Sequence, residues 1–270
     1  MPTITKISVQ KNNPERYNIF LDGQYRFSVD EEVLARFQLL KGKEISSFEL
    51  DHIMLQDDIR KGVNIAIQFL SFRMRSEKEI KDYLRKKEMD EAIIKEVIHK
   101  LYEQQYLNDL HFAISYVKTQ VNTTRKGAKI IQLELQQKGI NEAYIEEAMG
   151  YYDIDKQVEH ALLLAEKYAK QHQKLSEKQL YQRIEQHLAR KGYTFDVISR
   201  ALKNLHVEKD EDEEWFALIR QAEKAHKRYQ AFTGFLYEQK MKQSLYRKGF
   251  SLELIERYLR EKEEQIEMGE

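Results

Sequence analysis

The chain has 270 residues, with 45 basic and 45 acidic side chains, no formal net charge, 41% apolar residues and no cysteine. That balance excludes a disordered chain of high net charge, and the longest aliphatic run, Ala161–Ala165, is far too short for a membrane-spanning helix. Disulfides, cysteine-ligated zinc and a cysteine nucleophile are excluded as well.

The start, Met1-Pro2-Thr3-Ile4, shows no basic segment followed by an apolar one, so a soluble cytoplasmic chain is expected. Ile4, Ile7 and Val9 lie in a β-prone run, Tyr17–Leu21 forms a second, and Asp22-Gly23 separates it from a third at Gln24–Val29. Asp-Gly between such runs is a hairpin signal, because a type I′ turn needs positive φ at both central residues. Tyr25, Phe27 and Val29 alternate with polar residues, which predicts one half-buried face of a small antiparallel sheet. Asp30 is placed to cap a short helix containing Val33, Leu34 and Phe37; Ser46 or Ser47 is placed to cap another running to about Gln56.

Beyond Pro14 there is no proline, and the remainder is rich in good helix formers. From about residue 60 the sequence repeats. Ile80, Ile131, Ile184 and Met241 each precede a leucine by one helical turn: Leu84, Leu135, Leu188 and Leu245. A lysine follows each leucine, at Lys87, Lys138, Lys191 and Lys248, and then comes Glu88, Gly139, Gly192 or Gly249. Next stand Met89, Ile140, Tyr193 and Phe250, then the N-cap types Asp90, Asn141, Thr194 and Ser251, and then Ile94, Ile145, Ile198 and Ile255. Each copy reads as a helix closed by lysine and a left-handed residue, followed by a second amphipathic helix. Glu88 predicts a looser or different turn in the first copy. With an apolar segment upstream of each pair, the count is three helices per unit and four units.

The predicted fold is mainly α: tandem three-helix repeats forming an elongated, curved array behind a small β-hairpin-containing segment. The expected boundaries are 1–59 for the N-terminal cap, then 60–109, 110–153, 154–208 and 209–270 for repeats one to four. Trp215 is expected to anchor the fourth repeat against the third.

These pieces resemble the RecX family of RecA regulators. The resemblance rests on the β-rich start, Phe72-Arg73-Met74-Arg75-Ser76-Glu77-Lys78-Glu79-Ile80, Leu84-Arg85-Lys86-Lys87 and Tyr106-Leu107-Asn108-Asp109. It continues through Arg125-Lys126-Gly127 and Leu135-Gln136-Gln137-Lys138-Gly139-Ile140, and covers nearly the whole chain. The sequence departs from the family pattern at Glu88 and in the acidic stretch before the fourth unit, and its length looks like the form found in Gram-positive bacteria. The resemblance implies a monomeric, non-catalytic regulator. It would bind RecA and single-stranded DNA or the RecA–DNA filament, and limit filament growth, ATP turnover or strand exchange.

Arg60–Lys87 and Lys118–Lys138 are predominantly basic, while Glu208–Glu214 is acidic. Basic side chains at helix–loop junctions suit phosphate contacts without sequence preference. Arg73, Arg75, Lys86, Lys87, Arg125, Lys126 and Lys129 are therefore the candidate DNA- or filament-binding residues; a solvated helix face is the plainer reading. Tyr106, Tyr116 and Tyr168 are candidates for stacking on bases or for packing between helices.

No catalytic residue, metal site or cofactor is expected. Gly42-Lys43 lacks the rest of a phosphate loop, and Glu96-Val97-Ile98-His99 is a single Glu-x-x-His where a di-iron site needs two. There is no Gly-x-Ser-x-Gly elbow. A free-standing single-strand DNA binder and a protein scaffold are the alternative readings.

Overall fold

The computed structural model describes residues 1–206 and 211–267. It opens with β1 (Ile4–Gln10), β2 (Asn13–Leu21) and β3 (Gln24–Asp30), an antiparallel sheet in the order β1-β2-β3. Asp22 and Gly23 turn at φ 49° and 86°, the two positive values that the hairpin requires. The alternation holds only in part. A bulge between Ile19 and Phe20 shifts the β2–β3 register, so Phe27 and Val29 face the core while Tyr25 is 56% exposed and packs edge-on to Phe20.

Asp30 caps α1 (Glu31–Arg36) by accepting from the Glu32 amide, and Ser46 caps α2 (Ser47–Leu70) by accepting from Glu49. The helix expected to end near Gln56 instead runs to Leu70, straight through residue 60. Gly62 does not break it, because Met89 and Val97 press so closely that an added Cβ would lie 2.8 Å and 2.6 Å from their side chains. Buried Asp57 on α2 accepts from Arg16 at 2.8 Å and from the Asp30 amide at 2.8 Å, and pairs with Lys61 at 3.0 Å. Arg60 pairs with Asp30 at 3.2 Å and Glu32 at 2.6 Å. Arg60, at the head of the basic stretch, thus helps tie α2 to the sheet, while Lys61 pairs within α2.

The repeats follow as expected, with three helices in each. Repeat one is completed by α3 (Glu77–Lys86) and α4 (Glu91–Glu103); its core joins Val63 and Ala66 of α2 to Ile80, Leu84, Ile94 and Leu101. Repeat two has α5 (Asp109–Thr123), α6 (Ala128–Gln137) and α7 (Glu142–Met149). Repeat three has α8 (Ile154–Gln171), α9 (Glu177–Arg190) and α10 (Phe195–Lys203), packed around Ala161, Ala165, Ile184, Leu188 and Ile198. Repeat four has α11 (Glu211–Tyr229), α12 (Gly234–Arg247) and α13 (Leu252–Glu267), around Leu218, Met241, Leu245 and Ile255. The expected boundary at 208/209, and Glu208–Asp210 of the acidic stretch, lie outside the described residues. Among the described residues, Trp215 has its ring partners within its own repeat, Tyr258 at 6.3 Å and Arg257 at 4.5 Å, and packs on that repeat's core.

Every middle helix closes the same way. Glu88, Gly139, Gly192 and Gly249 have φ of 60°, 78°, 89° and 87°. The next amide returns to the leucine carbonyl one turn and a half back: Met89 to Leu84, Ile140 to Leu135, Tyr193 to Leu188 and Phe250 to Leu245, at 3.1–3.4 Å. The different turn expected at Glu88 is not found. Met89 must fold back against Gly62, and that packing holds Glu88 in a conformation that suits glycine.

The chain divides into two compact units. One comprises Met1–Ser115 with Leu135–Ala148, and the other Tyr116–Glu134 with the residues from Met149 on.

Candidate functional site

Four of the candidate cations lie in the first unit. Arg73 and Arg75 precede α3, whose first turn forms a capping box. There the Ser76 hydroxyl accepts from the Glu79 amide, and the Glu79 carboxylate accepts from the Ser76 amide. Arg73 is half-exposed and pairs with Glu79 at 3.1 Å. The Arg75 guanidinium lies 3.9 Å above the Phe69 ring, which is itself stacked on Tyr83 at 3.9 Å; its buried Nε has no hydrogen-bond partner. Beside it opens a groove of about 370 Å³ walled by Ile67, Leu70, Met74, Tyr106 and His111. Lys86 and Lys87 stand exposed at the far end of α3, with the Lys87 ammonium 5.5 Å from the Tyr83 ring.

The other three lie in the second unit, where α6 begins. Tyr152 donates its hydroxyl to the Lys126 carbonyl at 3.2 Å, and Tyr193 donates to the Arg125 carbonyl at 2.9 Å. Burial raises the pKa of both phenols, so both remain donors at neutral pH. The Gly127 amide donates to the Lys191 carbonyl at 2.7 Å, and the Lys129 amide to the Gly192 carbonyl at 3.1 Å. The backbone from Arg125 to Lys129 is thus held at four points. Arg125 and Lys129 are exposed on it and make no side-chain ion pair among the described residues. Lys126 is different: its ammonium is 2.6 Å from Glu134, which also accepts from Tyr116. A cavity of about 530 Å³ adjoins the loop, lined by Thr123, Thr124, Arg125, Lys126, His160 and Lys191 among others. Burial lowers the pKa of His160, with Lys156 and Arg125 adding to the effect.

Tyr152 carries no signal of its own in the sequence, and the repeat marks Lys191 and Tyr193 without showing their role here. All three act through backbone atoms or contacts distant in sequence, and the Lys118 ammonium 4.2 Å over Tyr151 is likewise a tertiary contact. Of the three candidate stacking tyrosines, Tyr106 is 52% exposed. Tyr116 donates to Glu134, and Tyr168 is stacked on His172 at 3.9 Å.

The Lys-Gly helix ends do more than close helices. The Ser76 hydroxyl donates to the Lys138 carbonyl at 2.8 Å, the Gly127 amide to Lys191, and the Ser176 hydroxyl to Lys248. In each case the residue that opens one repeat's middle helix meets the last turn of the next repeat's middle helix. Glycine is required at that last turn: an added Cβ would lie 2.8 Å from Lys78 Cβ at Gly139, 2.9 Å from the Ile130 amide nitrogen at Gly192, and 2.8 Å from Ser176 Oγ at Gly249. Glu88 ends the first middle helix, which has no preceding repeat to meet, and is exposed.

The chemistry on offer is cationic and structural. His99 pairs with Glu103 at 3.2 Å, and among the described residues no three His, Asp or Glu side chains gather as metal ligands. No helix among those residues is long and apolar enough to cross a membrane.

Comparison with known proteins matches most of the chain. The regulatory protein RecX N-terminal domain matches residues 2–46, the first RecX three-helix domain 63–101 and the second 108–149. The third three-helix domain matches twice, at 155–202 and 211–259. The chain is 48% identical to the regulatory protein RecX of Bacillus subtilis (strain 168), over 97% of this chain and all of that one. It is 46% identical to that of Geobacillus sp. (strain WCH70), over 96% and 97%. Among solved structures it is similar to a crystal structure of regulatory protein RecX, with a TM-score of 0.69 and 35% identity, over 75% of this chain and all of the other. It is also similar to RecX from Lactobacillus salivarius, with a TM-score of 0.54 and 39% identity, over 56% and 97%.

Proposed function

This chain belongs to the RecX family, and from that premise we propose that it is a regulator that binds RecA and RecA–DNA filaments and lowers recombinase and ATPase activity during DNA repair and recombination. It acts as a monomer in the cytoplasm, without catalysis or a cofactor of its own. Its relatives bear the name of regulatory proteins, which agrees with a binding role.

The observation that carries the nucleic-acid part of the reading is the α6 loop. Arg125 and Lys129 are exposed, without an acidic partner among the described residues, on a backbone held by Tyr152, Tyr193 and the Lys191 carbonyl. Cations presented on a fixed backbone meet phosphates with less ordering cost than cations on a free loop. Lys86 and Lys87 offer a second basic end in the first unit. Arg75 is held flat on the Phe69 ring with its unpartnered Nε buried, so it contributes less to a phosphate contact than the exposed cations. Lys126 and Arg73 contribute less, since Glu134 and Glu79 already hold them. Several small repeats engaging successive filament subunits would gain avidity from individually weak contacts.

The test is fluorescence anisotropy of labelled single-stranded DNA, with and without preformed RecA filament, titrated at two salt concentrations. The reading predicts saturable filament binding at concentrations that leave bare DNA unbound. Tight, salt-steep binding to bare DNA alone would point to a single-strand binder. Binding to RecA with no salt-dependent contribution would point to a protein scaffold.

A further inference from the structure

The three joints between consecutive repeats have a fourth counterpart, at the start of α12, that is uncovered among the described residues. At the covered joints the residue opening the middle helix is buried: Ser76 is 0% and Ser176 1% exposed, and Gly127 is buried too. Thr233 opens the last middle helix, α12, in the same extended conformation, but it is exposed and its side chain makes no capping bond. Among the described residues no helix end covers it.

Its surroundings are apolar where those of the covered joint are polar. Aligning Thr233 with Ser176 places Phe235 and Leu236 opposite Lys178 and Gln179. Lys178 is one of the residues against which Gly249 packs. Phe235 is 78% exposed, Leu236 49% and Phe232 37%. A cavity of about 270 Å³ opens beside them, lined by Phe232, Thr233, Gly234, Tyr237 and Leu259 among others. Clustered exposed apolar side chains of this kind mark interaction surfaces.

We propose that the start of α12, Phe232–Leu236, is a docking surface for the glycine-closed C-terminal end of a helix on the partner protein. It would continue the interface that the three internal joints repeat. Those joints define the occupant: a helix whose last carbonyl accepts from the N-cap residue, and whose next residue is a glycine at positive φ. A second copy of this chain is a poor occupant. Its uncovered middle-helix end is Lys87-Glu88, which carries a Cβ and a carboxylate where the joints admit only glycine.

The proposal rests on the RecA-binding reading, and its test separates the two. The full chain and its Phe235→Asp, Leu236→Asp double variant are titrated against preformed RecA filament. Amide exchange over residues 232–238 is followed in the wild type. Both substituted side chains are exposed, so an unchanged melting curve is expected and serves as the folding control. The expected result is filament binding weaker by about tenfold or more in the variant, with exchange protection at 232–238 on filament binding. Equal binding by both forms with no protection overturns this inference alone. Failure of the wild type to bind overturns the regulatory reading and this inference with it. Concentration-dependent sedimentation of the wild type, lost in the double variant, would assign the surface to a second copy and overturn the stated occupant.

Discussion

The Ser76 hydroxyl donates to the main-chain carbonyl of Lys138 at 2.8 Å, across 62 positions of sequence. The same oxygen caps α3 by accepting from the Glu79 amide. One side chain therefore closes a helix start and fastens the next repeat's helix end to it, and Ser176 does the same with Lys248.

Ser76→Ala and Ser176→Ala should each cost about 1–2 kcal/mol, the loss of a cap, with a further contribution from the carbonyl left unpaired. Thr233→Ala should stay within about 0.5 kcal/mol, because Thr233 caps nothing. Urea denaturation of the three variants checks the contrast; equal losses would remove the joint from the account.

Glu88→Gly should stabilise the chain by about 1 kcal/mol, the cost of holding a side-chain-bearing residue in the left-handed region. Gly192→Ala should destabilise by more than that, since positive φ is compounded by contact with the Ile130 amide. Thermal melts of both variants read the opposite signs directly.

Much of the fold was legible because its signals are local. Asp22-Gly23 marked the hairpin, Asp30 and the Ser46-Ser47 pair the helix starts, and the spaced leucines the repeats. What was hidden depends on partners far away in sequence. Nothing near Lys126 reveals that Glu134 holds its charge, and nothing near Arg60 announces Asp30. The bulge that turns Tyr25 outward is a pairing between strands, so alternation along one strand could not show it. The joints left one trace. Glycine is absent from the first copy alone, the copy that has nothing to receive.

Acid should weaken the first joint. Burial alone would raise the Glu79 pKa, but hydrogen bonds from Lys138, the Ser76 amide and Arg73 outweigh it and hold the carboxyl below its usual range. Because the folded pKa is the lower one, the stabilisation is complete above the ordinary glutamate value near ~4.3. It is lost as pH falls through the folded value. Glu79→Gln should flatten the fall in urea midpoint below pH ~5 relative to wild type; an unchanged slope would contradict the assignment.

Asp109 carries the opposite sign. Burial, followed by the charges of Glu77 and Glu79, outweighs the hydrogen bond from the Glu77 amide and raises its pKa. Its ionised form therefore opposes folding at neutral pH, and protonation relieves that penalty. Asp109→Asn keeps an acceptor for the Glu77 amide, found at 2.8 Å in the native chain, and removes the charge. The variant should be at least as stable as wild type at pH 7 and lose stability more steeply in acid, as urea midpoints at the two pH values would show.

Arg125→Glu with Lys129→Glu should weaken filament or DNA binding and lower the salt slope by roughly 0.7 for each single-strand phosphate that is no longer neutralised. Lys126→Gln should do less, since Glu134 already neutralises that ammonium. Anisotropy at several salt concentrations ranks the three positions.

RecA's DNA-dependent ATP turnover, followed as the chain is titrated into preformed filaments with the amount of bound DNA monitored in parallel, tests the regulatory reading most directly. The account predicts that turnover falls saturably while DNA remains covered by RecA, and falls less with the Arg125→Glu, Lys129→Glu variant. Turnover that stays constant at saturating chain, or declines only in step with displacement of RecA by chain bound to bare DNA, would contradict it.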